Sequence, residues 1–220
     1  MNTNNMNLNL HIAIDGPAAS GKTDTGKLLA QELGISFLDT GLMYRAITYY
    51  FINSKLDDNK LDIIHEDIFD DINIEVSDSQ NVILNNIDIS KVIFSDDVNN
   101  KVSIYAGIQS IRENLVKKQQ LIAENNDIVM VGRDIGTVVL PSAKFKFFLD
   151  CSLNTRAMRR MHQSDKKKFA NEKDKLNNRD FLDKNREISP LLPSDDAVIV
   201  FNDHINLNET VELIKNIVLN

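Results

Sequence analysis

Residues near the N-terminus have the types and spacing of a phosphate-binding loop. Residues 16–23 read GPAASGKT and match the pattern G-x-x-x-x-G-K-[ST]. Glycines let consecutive backbone N–H groups turn inward around an anion, and the lysine of this pattern reaches the β and γ phosphates of a nucleotide. We therefore expect Lys22 to act on the transferred phosphate and the hydroxyl of Thr23 to bind Mg²⁺. The residues expected to bind the nucleotide are Gly16, Pro17, Ala18, Ala19, Ser20, Gly21, Lys22, Thr23 and Asp24.

The flanks of this loop have the patterns that its function requires. A short apolar run, Ile12–Ile14, precedes it, and Leu28, Leu29 and Leu33 follow at helical spacing. A strand before the loop and a helix after it place the helix N-terminus at the phosphates, where negative charge is favoured. The match is therefore more than a chance glycine-rich turn.

The eight arginines are the second feature that could do chemistry. Arginine pairs with phosphate oxygens through two parallel hydrogen bonds, and a site that holds a second phosphorylated substrate needs more arginines than an ATP site alone. Any one of them could instead form a surface ion pair that contributes little. We favour a role in the site for Arg133 and Asp134, because they follow a predicted buried strand. For Arg159 and Arg160 both interpretations stay open.

Strands and helices alternate along most of the chain. Five short apolar runs near residues 10–14, 35–38, 127–131, 145–149 and 197–201 predict the strands of an α/β fold with a parallel sheet. Ligands bind outside the carboxyl ends of such strands. Between residues 72 and 90 the pattern changes to three short alternating runs, which predict a small antiparallel insert.

Composition and charge exclude several classes of function. The net charge is −7, although residues 156–186 hold eleven Lys or Arg against five Asp or Glu. An acidic chain with one basic segment indicates a local anion site rather than a nucleic-acid-binding protein. Cys151 is the single cysteine, which favours a reducing compartment, and we expect a cytoplasmic protein. No apolar run approaches the ~20 residues of a membrane span, and the Asn-rich start has no features of a secretion signal.

A phosphate-binding loop alone does not distinguish a kinase from a nucleotide-dependent switch. Residues 59–62 match the guanine-recognition pattern N-K-x-D, but they follow Leu56-Asp57-Asp58 rather than an apolar strand. The D-x-x-G pattern of such switches occurs nowhere in the sequence. We therefore interpret the match at 59–62 as chance, and a non-catalytic nucleotide-binding switch stays as the less favoured alternative.

Four segments carry a resemblance to a known family. They are IAIDGPAASGK (12–22), FLDTGLMYRAIT (37–48), VGRDIGTVVLPSAKFKFFLD (131–150) and RDFLDKNREISPLLPSDDAVIV (179–200). In this order and at this spacing the chain resembles the bacterial cytidylate (CMP) kinases. The resemblance implies a P-loop NTPase-type fold with a five-stranded parallel sheet of order 2-3-1-4-5 and helices on both faces. It also implies a single kinase domain over 1–220, an acceptor-binding insert at about 62–97, a helical lid at about 155–187, and a monomer.

The activity that the resemblance implies is transfer of the γ-phosphoryl group of ATP, with Mg²⁺, to CMP or dCMP. It assigns Lys22, Arg133, Arg159 and Arg186 to catalysis, with Arg159 serving ATP. Around the acceptor it places residues in three groups: Thr40, Arg112 and Asp134 at the cytosine, Ser103, Arg179 and Asp183 near the sugar, and Tyr44, Arg45, Arg133 and Arg186 at the phosphate. Departures from the family pattern occur at Asp24, Leu182, Lys184 and Asn202–His204.

Cytosine differs from uracil by an amine in place of a carbonyl and by an unprotonated N3. A carboxylate accepts from the amine and repels a carbonyl, whereas a guanidinium donates to N3 and O2, so Asp134 and Arg112 form a suitable pair. On spacing alone, Arg112 could equally be a surface charge on its helix, and the resemblance favours the base. A kinase for another small acceptor, such as UMP or shikimate, is the alternative within enzymes.

Overall fold

The computed structural model describes residues 9–54, 66–162 and 169–220. The N-K-x-D match at 59–62, the first residues of the expected insert and residues 163–168 of the expected lid lie outside this described part. The described part contains two sheets and seven α-helices. The helices are α1 (Lys22–Leu33), α2 (Thr40–Asn53), α3 (Asp96–Tyr105), α4 (Gln109–Glu124), α5 (Leu153–His162), α6 (Phe169–Asn185) and α7 (Leu207–Leu219).

Five strands form an all-parallel sheet at the centre of the molecule. They are β1 (His11–Asp15), β2 (Ser36–Asp39), β6 (Ile128–Gly132), β7 (Phe145–Asp150) and β8 (Val198–Phe201). Their spatial order is β2-β6-β1-β7-β8, which is the predicted order 2-3-1-4-5 once the strands of this sheet are numbered alone. Asp15 is level with Gly132, and Asp39 with Val131, so the ends of three strands meet at one edge of the sheet.

Both faces of this sheet are covered, which explains why the middle residues of β1 and all of β6 are apolar without alternation. On one face Ile12, Ile14 and Val131 pack with residues of α1 and α7. On the other face Ala13 and Met130 pack with residues of α2 and α4. The strands are thus held rigidly from both sides, and the loops at their carboxyl ends rest on a fixed base.

A second sheet lies between α2 and α3 in the sequence, as the alternating runs predict. Its strands are β3 (Ile74–Val76), β4 (Val82–Leu84) and β5 (Ile87–Asp88), paired antiparallel in that order. Val82 and Leu84 join the same apolar cluster as Phe51 of α2. The turn between β3 and β4 also reaches the large sheet, because the N–H of Phe37 in β2 donates to Oδ1 of Asp78 over 3.1 Å.

A π-helical turn after β6 has no counterpart among the predicted elements. Residues Ile135–Val139, which directly follow Asp134, form a single π-helical turn. Short π-helical turns are rare and occur often at functional sites. Among the described residues, no helix has both the length and the apolar composition needed to cross a membrane.

Candidate active site

The phosphate loop, Gly16–Thr23, connects β1 to α1 and is wound too tightly for most side chains. Gly16 has φ of 153°, and a Cβ atom there would lie 2.2 Å from the carbonyl oxygen of Leu149. Gly21, with φ of 92°, turns the chain into α1. The hydroxyl of Ser20 is buried and has no hydrogen-bond partner among the described residues. A close backbone turn with an unsatisfied buried hydroxyl suits an anion.

Cations hold the carbonyl groups of this loop. Arg156 donates from Nη1 to the oxygen of Ala18 over 3.2 Å. Arg159 donates to the oxygen of Ser20 over 3.0 Å, and Asn202, just after β8, donates to the same oxygen over 2.9 Å. A carbonyl held in this way cannot turn toward a phosphate and repel it. The loop is therefore fixed in shape by α5 and by the end of β8.

Arg159 is bound more fully to the protein than its expected role in ATP binding suggests. Besides Ser20, it donates to the backbone oxygen of Asn202 over 2.7 Å and to the Asn202 side chain over 3.1 Å. Its guanidinium also borders the large cavity described below. Arg156 has a further partner too, since its Nη2 lies 2.6 Å from Oδ2 of Asp180 in α6.

Lys22 is buried at the base of the loop, where its Nζ donates to the carbonyl oxygen of Pro17 over 2.9 Å. Burial holds the pKa of Lys22 well below its usual range, and the neighbouring Arg133 lowers it further. Both effects disfavour the charged ammonium group. An anion at this position would reverse that preference.

Thr23 and Asp39 present two oxygen ligands beside the loop. The hydroxyl of Thr23 donates to Oδ2 of Asp39 over 2.7 Å, and Oδ1 of Asp39 caps α2 by accepting from the N–H of Gly41. Mg²⁺ prefers hard oxygen ligands and is usually held by one or two protein groups together with nucleotide phosphates. The expected metal-binding role of Thr23 thus fits its surroundings, and Asp39 is a second candidate that the sequence did not assign.

A buried ion cluster follows the carboxyl end of β6. It consists of Tyr44, Arg112, Asp134 and Arg186. Nη2 of Arg112 contacts Oδ2 of Asp134, and Nη2 of Arg186 lies 3.7 Å from the other carboxylate oxygen. The guanidinium of Arg112 also stacks over the ring of Tyr44 at 5.5 Å. Burial raises the pKa of Tyr44 to about 12, so the phenol stays protonated.

Arg112 is only 2% exposed, and this decides between its two interpretations. A surface charge on a helix would be solvated, whereas this guanidinium is buried against a carboxylate. Thr40, expected near the same base, donates its hydroxyl to the carbonyl oxygen of Val131 over 2.9 Å. The three residues expected at the cytosine thus all lie by the ends of β2 and β6.

A second ion pair joins the end of β6 to α6. Nε of Arg133 donates to Oδ2 of Asp183 over 2.9 Å. Burial alone would raise the pKa of Asp183, but Arg133 and Arg179 outweigh it and hold that pKa below its usual range. The pKa of Arg179 itself is lowered to about 10 by burial and by the positive charge of Arg133. Crowded cations of this kind favour the binding of anions.

Arg45 reaches this region from α2. Its Nη1 donates to the carbonyl oxygen of Ile93 over 3.1 Å and to Oδ1 of Asn99 over 2.8 Å, while its guanidinium lies 5.0 Å from the ring of Phe94. Burial, together with the positive charge of the nearby Arg179, lowers the pKa of Arg45 to about 9.

A cavity of about 880 Å³ lies between the phosphate loop, α2, α3 and α6. Predicted site residues that line it are Ala18, Ala19, Gly21, Lys22, Thr23, Asp24, Arg45, Ser103, Arg133, Arg159 and Arg179. The ion cluster, Thr40 and Asp183 are not among its lining residues. The structure thus gathers only part of the expected phosphate and sugar residues around open space, namely Arg45, Arg133, Ser103 and Arg179. Tyr44 and Arg186, expected at the phosphate, lie instead in the closed ion cluster with Arg112 and Asp134.

Sequence reasoning missed two buried residues at this edge of the sheet. Asp15 accepts hydrogen bonds from the backbone N–H groups of Ile135 and Gly136, each over 2.8 Å. Asn202 connects the phosphate loop to Arg159. The sequence does carry a signal for Asp15, because a charged residue ends the apolar run Ile12–Ile14 directly before the loop. Asn202 differs in the sequence only as a departure from the family pattern.

The sequence is similar to known cytidylate kinases over nearly its whole length. Relatives from Oceanobacillus iheyensis and Bacillus anthracis, both named cytidylate kinase, are each 40% identical to it. The first alignment covers 96% of this chain and 94% of the relative, and the second covers 97% and 98%.

Solved structures with the same fold are more distant in sequence. An uncharacterized protein from Eubacterium ventriosum has a TM-score of 0.53 at 13% identity, and it matches 95% of this chain and 97% of its own. A shikimate kinase from Bacteroides thetaiotaomicron has a TM-score of 0.50 at 14% identity, over 96% and 99%. At these identities the likeness concerns the fold alone. The family model of cytidylate kinase matches residues 12–220, and the chain therefore belongs to the cytidylate kinase family.

Proposed function

We propose that this protein transfers the γ-phosphoryl group of ATP to CMP or dCMP, giving CDP or dCDP. The observation that carries the proposal is the buried contact between Arg112 and Asp134, which lies at the end of β6 directly beside Arg133. A carboxylate and a guanidinium in contact form the donor and acceptor set that cytosine requires. Family membership and the phosphate loop support the same reaction.

The acceptor needs little chemical activation. An oxygen of the CMP phosphate, already ionised near pH 7, attacks the γ-phosphorus of ATP. The bond from that phosphorus to the oxygen shared with the β-phosphate breaks, and ADP leaves. No general base is required, so catalysis consists of positioning and charge neutralisation. Lys22 would stabilise the transferred group from the phosphate loop, and Arg133 and Arg186 would hold the acceptor phosphate opposite it.

ATP and Mg²⁺ fit the residues present. The phosphate loop offers backbone N–H groups, the buried hydroxyl of Ser20 and the ammonium of Lys22 to the nucleotide. Thr23 and Asp39 would hold the metal ion, which would neutralise part of the negative charge of the nucleotide phosphates. Arg159 would have two roles in this arrangement. It would fix the shape of the loop through the carbonyl oxygen of Ser20, and it would also face the nucleotide in the cavity.

Binding of the acceptor requires an exchange of partners. Asp134 is held by Arg112 and Arg186, and Arg133 is held by Asp183. The cytosine amine would take one carboxylate lone pair of Asp134, and the acceptor phosphate would draw Arg133 toward the phosphate loop. We infer that α5 and α6, within the expected lid, close over the cavity during this exchange, since nine of their residues border it, among them Arg159, Arg160 and Arg179.

A coupled ADP-release assay over CMP, dCMP, UMP, AMP and shikimate, each with ATP and Mg²⁺, tests the proposal. We expect turnover with CMP and dCMP, much lower turnover with UMP, and background rates with AMP and shikimate. Preference for UMP or shikimate would overturn the assignment of the acceptor. Nucleotide binding without turnover of any acceptor would favour the non-catalytic alternative.

A further inference from the structure

Asp15 is a buried carboxylate that the proposed chemistry does not use. It ends β1, the central strand of the large sheet, and is followed directly by Gly16 of the phosphate loop. It is 4% exposed. In the sheet it lies level with Gly132 of β6, two residues before Asp134. Asp15 therefore occupies the junction between the phosphate loop and the turn that carries Arg133 and Asp134.

Its two oxygens accept from two successive peptide groups of that turn. Oδ1 accepts from the N–H of Ile135 and Oδ2 from the N–H of Gly136, each over 2.8 Å. The N–H of Ile135 belongs to the peptide that joins it to Asp134, so the first bond fixes the backbone of Asp134 itself. Only a carboxylate offers two equivalent acceptor oxygens in this geometry.

The backbone on both sides of Asp134 is closely packed, at Gly132 and at Gly136. A Cβ atom on Gly132 would lie 2.6 Å from Cδ1 of Ile135 and 2.7 Å from Oγ1 of Thr40. A Cβ atom on Gly136 would lie 3.2 Å from Oγ of Ser194. A close-packed turn transmits a displacement of its anchor rather than absorbing it.

We propose that Asp15 is a positioning residue for base selection, which holds the Asp134 carboxylate in the orientation that distinguishes cytosine from uracil. The inference rests on the proposed function, because it assumes that Asp134 reads the base. Asp15 touches no substrate in this scheme. It sets the backbone from which Asp134 projects, and both of its side-chain hydrogen bonds go to that turn.

The charged groups that face Asp15 are few. Asp134 repels it, and Lys22 attracts it. The stem of Lys146 from β7 packs on Gly136, with its ammonium group bound to Asp196. Burial outweighs the two N–H bonds and raises the pKa of Asp15 to about 6. Acidification to about pH 5.5 therefore protonates most of the Asp15 population, and a protonated carboxyl group offers a hydroxyl in place of one of its two equivalent acceptor oxygens.

The experiment compares Asp15→Asn with the wild-type protein for kcat/KM on CMP and on UMP. The amide keeps one acceptor oxygen and turns a donor toward the other N–H, so one buried bond is lost. We expect the CMP/UMP ratio of kcat/KM to fall by about 10- to 100-fold, with the KM for ATP within about twofold of wild type. Asp150→Asn is the matched control, because Asp150 ends the neighbouring strand β7, and this variant is expected to keep the wild-type ratio.

A second measurement uses the wild-type protein alone, in case the variant does not fold. The CMP/UMP ratio of kcat/KM is measured at about pH 7.5 and about pH 5.5. The phosphates of CMP and UMP titrate alike, so their protonation has no effect on this ratio. We expect the ratio to fall on acidification, and in Asp15→Asn it should be low at both values.

The outcomes are separable. A wild-type CMP/UMP ratio in folded Asp15→Asn would overturn the inference, as would a wild-type ratio that does not change with pH. A rise in KM for ATP with an unchanged ratio would overturn it too, and would assign Asp15 to the phosphate loop alone. Wild-type protein that does not phosphorylate CMP would contradict the proposed function itself, and the inference with it.

Discussion

The phosphate loop and the ion cluster of Tyr44, Arg112, Asp134 and Arg186 are held in opposite ways. In the loop, side chains from elsewhere hold backbone carbonyl groups, as Arg156 holds Ala18 and Asn202 holds Ser20. In the cluster, the side chains expected to meet the substrate hold one another. A site built from clamped backbone keeps its shape when a ligand enters. A site built from paired charges must exchange partners, and that exchange can discriminate between ligands.

The largest expected effect concerns the loop. Lys22→Ala should lower kcat by about 10³-fold, because it removes the charge that stabilises the transferred phosphoryl group. The exposed Lys27 on the same helix provides the control, since Lys27→Ala should keep normal turnover. Steady-state ADP release and far-UV circular dichroism would be measured for both. Near wild-type kcat in a folded Lys22→Ala protein would show that the loop does not act as we describe.

The cluster should respond in specificity rather than in general rate. Asp134→Asn should reduce the CMP/UMP ratio of kcat/KM by about 10²-fold, because the amide no longer repels the uracil carbonyl. Glu113→Gln makes the same chemical change at an exposed position of α4, next to Arg112 in sequence, and should leave the ratio unchanged. An unchanged ratio in Asp134→Asn would remove this residue from base recognition and break the comparison.

Asp15 lies between the two regions, and its titration should be visible in stability. Its folded-state pKa of about 6 exceeds the ordinary value of 3.8, so its protonation favours the folded protein. This contribution is complete below about pH 3.8 and is lost as the pH rises through about 6. Relative to Asp15→Asn, the wild-type free energy of unfolding should gain about 1–3 kcal/mol between pH 7 and pH 4. Urea unfolding over this range measures it, and a constant difference would contradict the raised pKa.

The smallest effect should come from loosening the loop without touching its charge. Asn202→Ala removes two hydrogen bonds, one to Ser20 and one from Arg159, and should raise the KM for ATP about three- to tenfold. The KM for CMP should stay nearly constant, which would sharpen the distinction between the two regions. The exposed Asn216 serves as control through Asn216→Ala. Equal rises in both KM values would mean that the loop and the cluster are not held independently.

The sequence predicts the fold well, because apolar runs of strand length followed by helical spacing are local patterns. The five strands of the large sheet and the helix after the phosphate loop are of this kind. Strand order is not local, and it came only from the resemblance to the family. The π-helical turn after Asp134 could not be predicted, since it depends on the carboxylate of Asp15, which lies 120 residues away from Ile135 in the sequence.

The candidate site could be predicted where its chemistry depends on particular side-chain types at a particular spacing. The phosphate loop is such a pattern, whereas the burial of Arg112 is not, because its spacing fits a surface charge on the helix equally well. The hydrogen bond from Arg156 to Ala18 could not be predicted in this way. Its partner is a backbone carbonyl group, which every residue has, so no residue type marks it in advance.

The contact between the hairpin turn and β2 has a consequence for the behaviour of the protein in concentrated solution. β2 is an edge strand, and exposed edge strands are templates for pairing with other chains. The N–H of Phe37, on the unpaired side of β2, donates to the carboxylate of Asp78, so this group is not open to another strand. The small sheet therefore shields an edge of the large one, and a variant that lacked residues 74–88 would be expected to self-associate through β2.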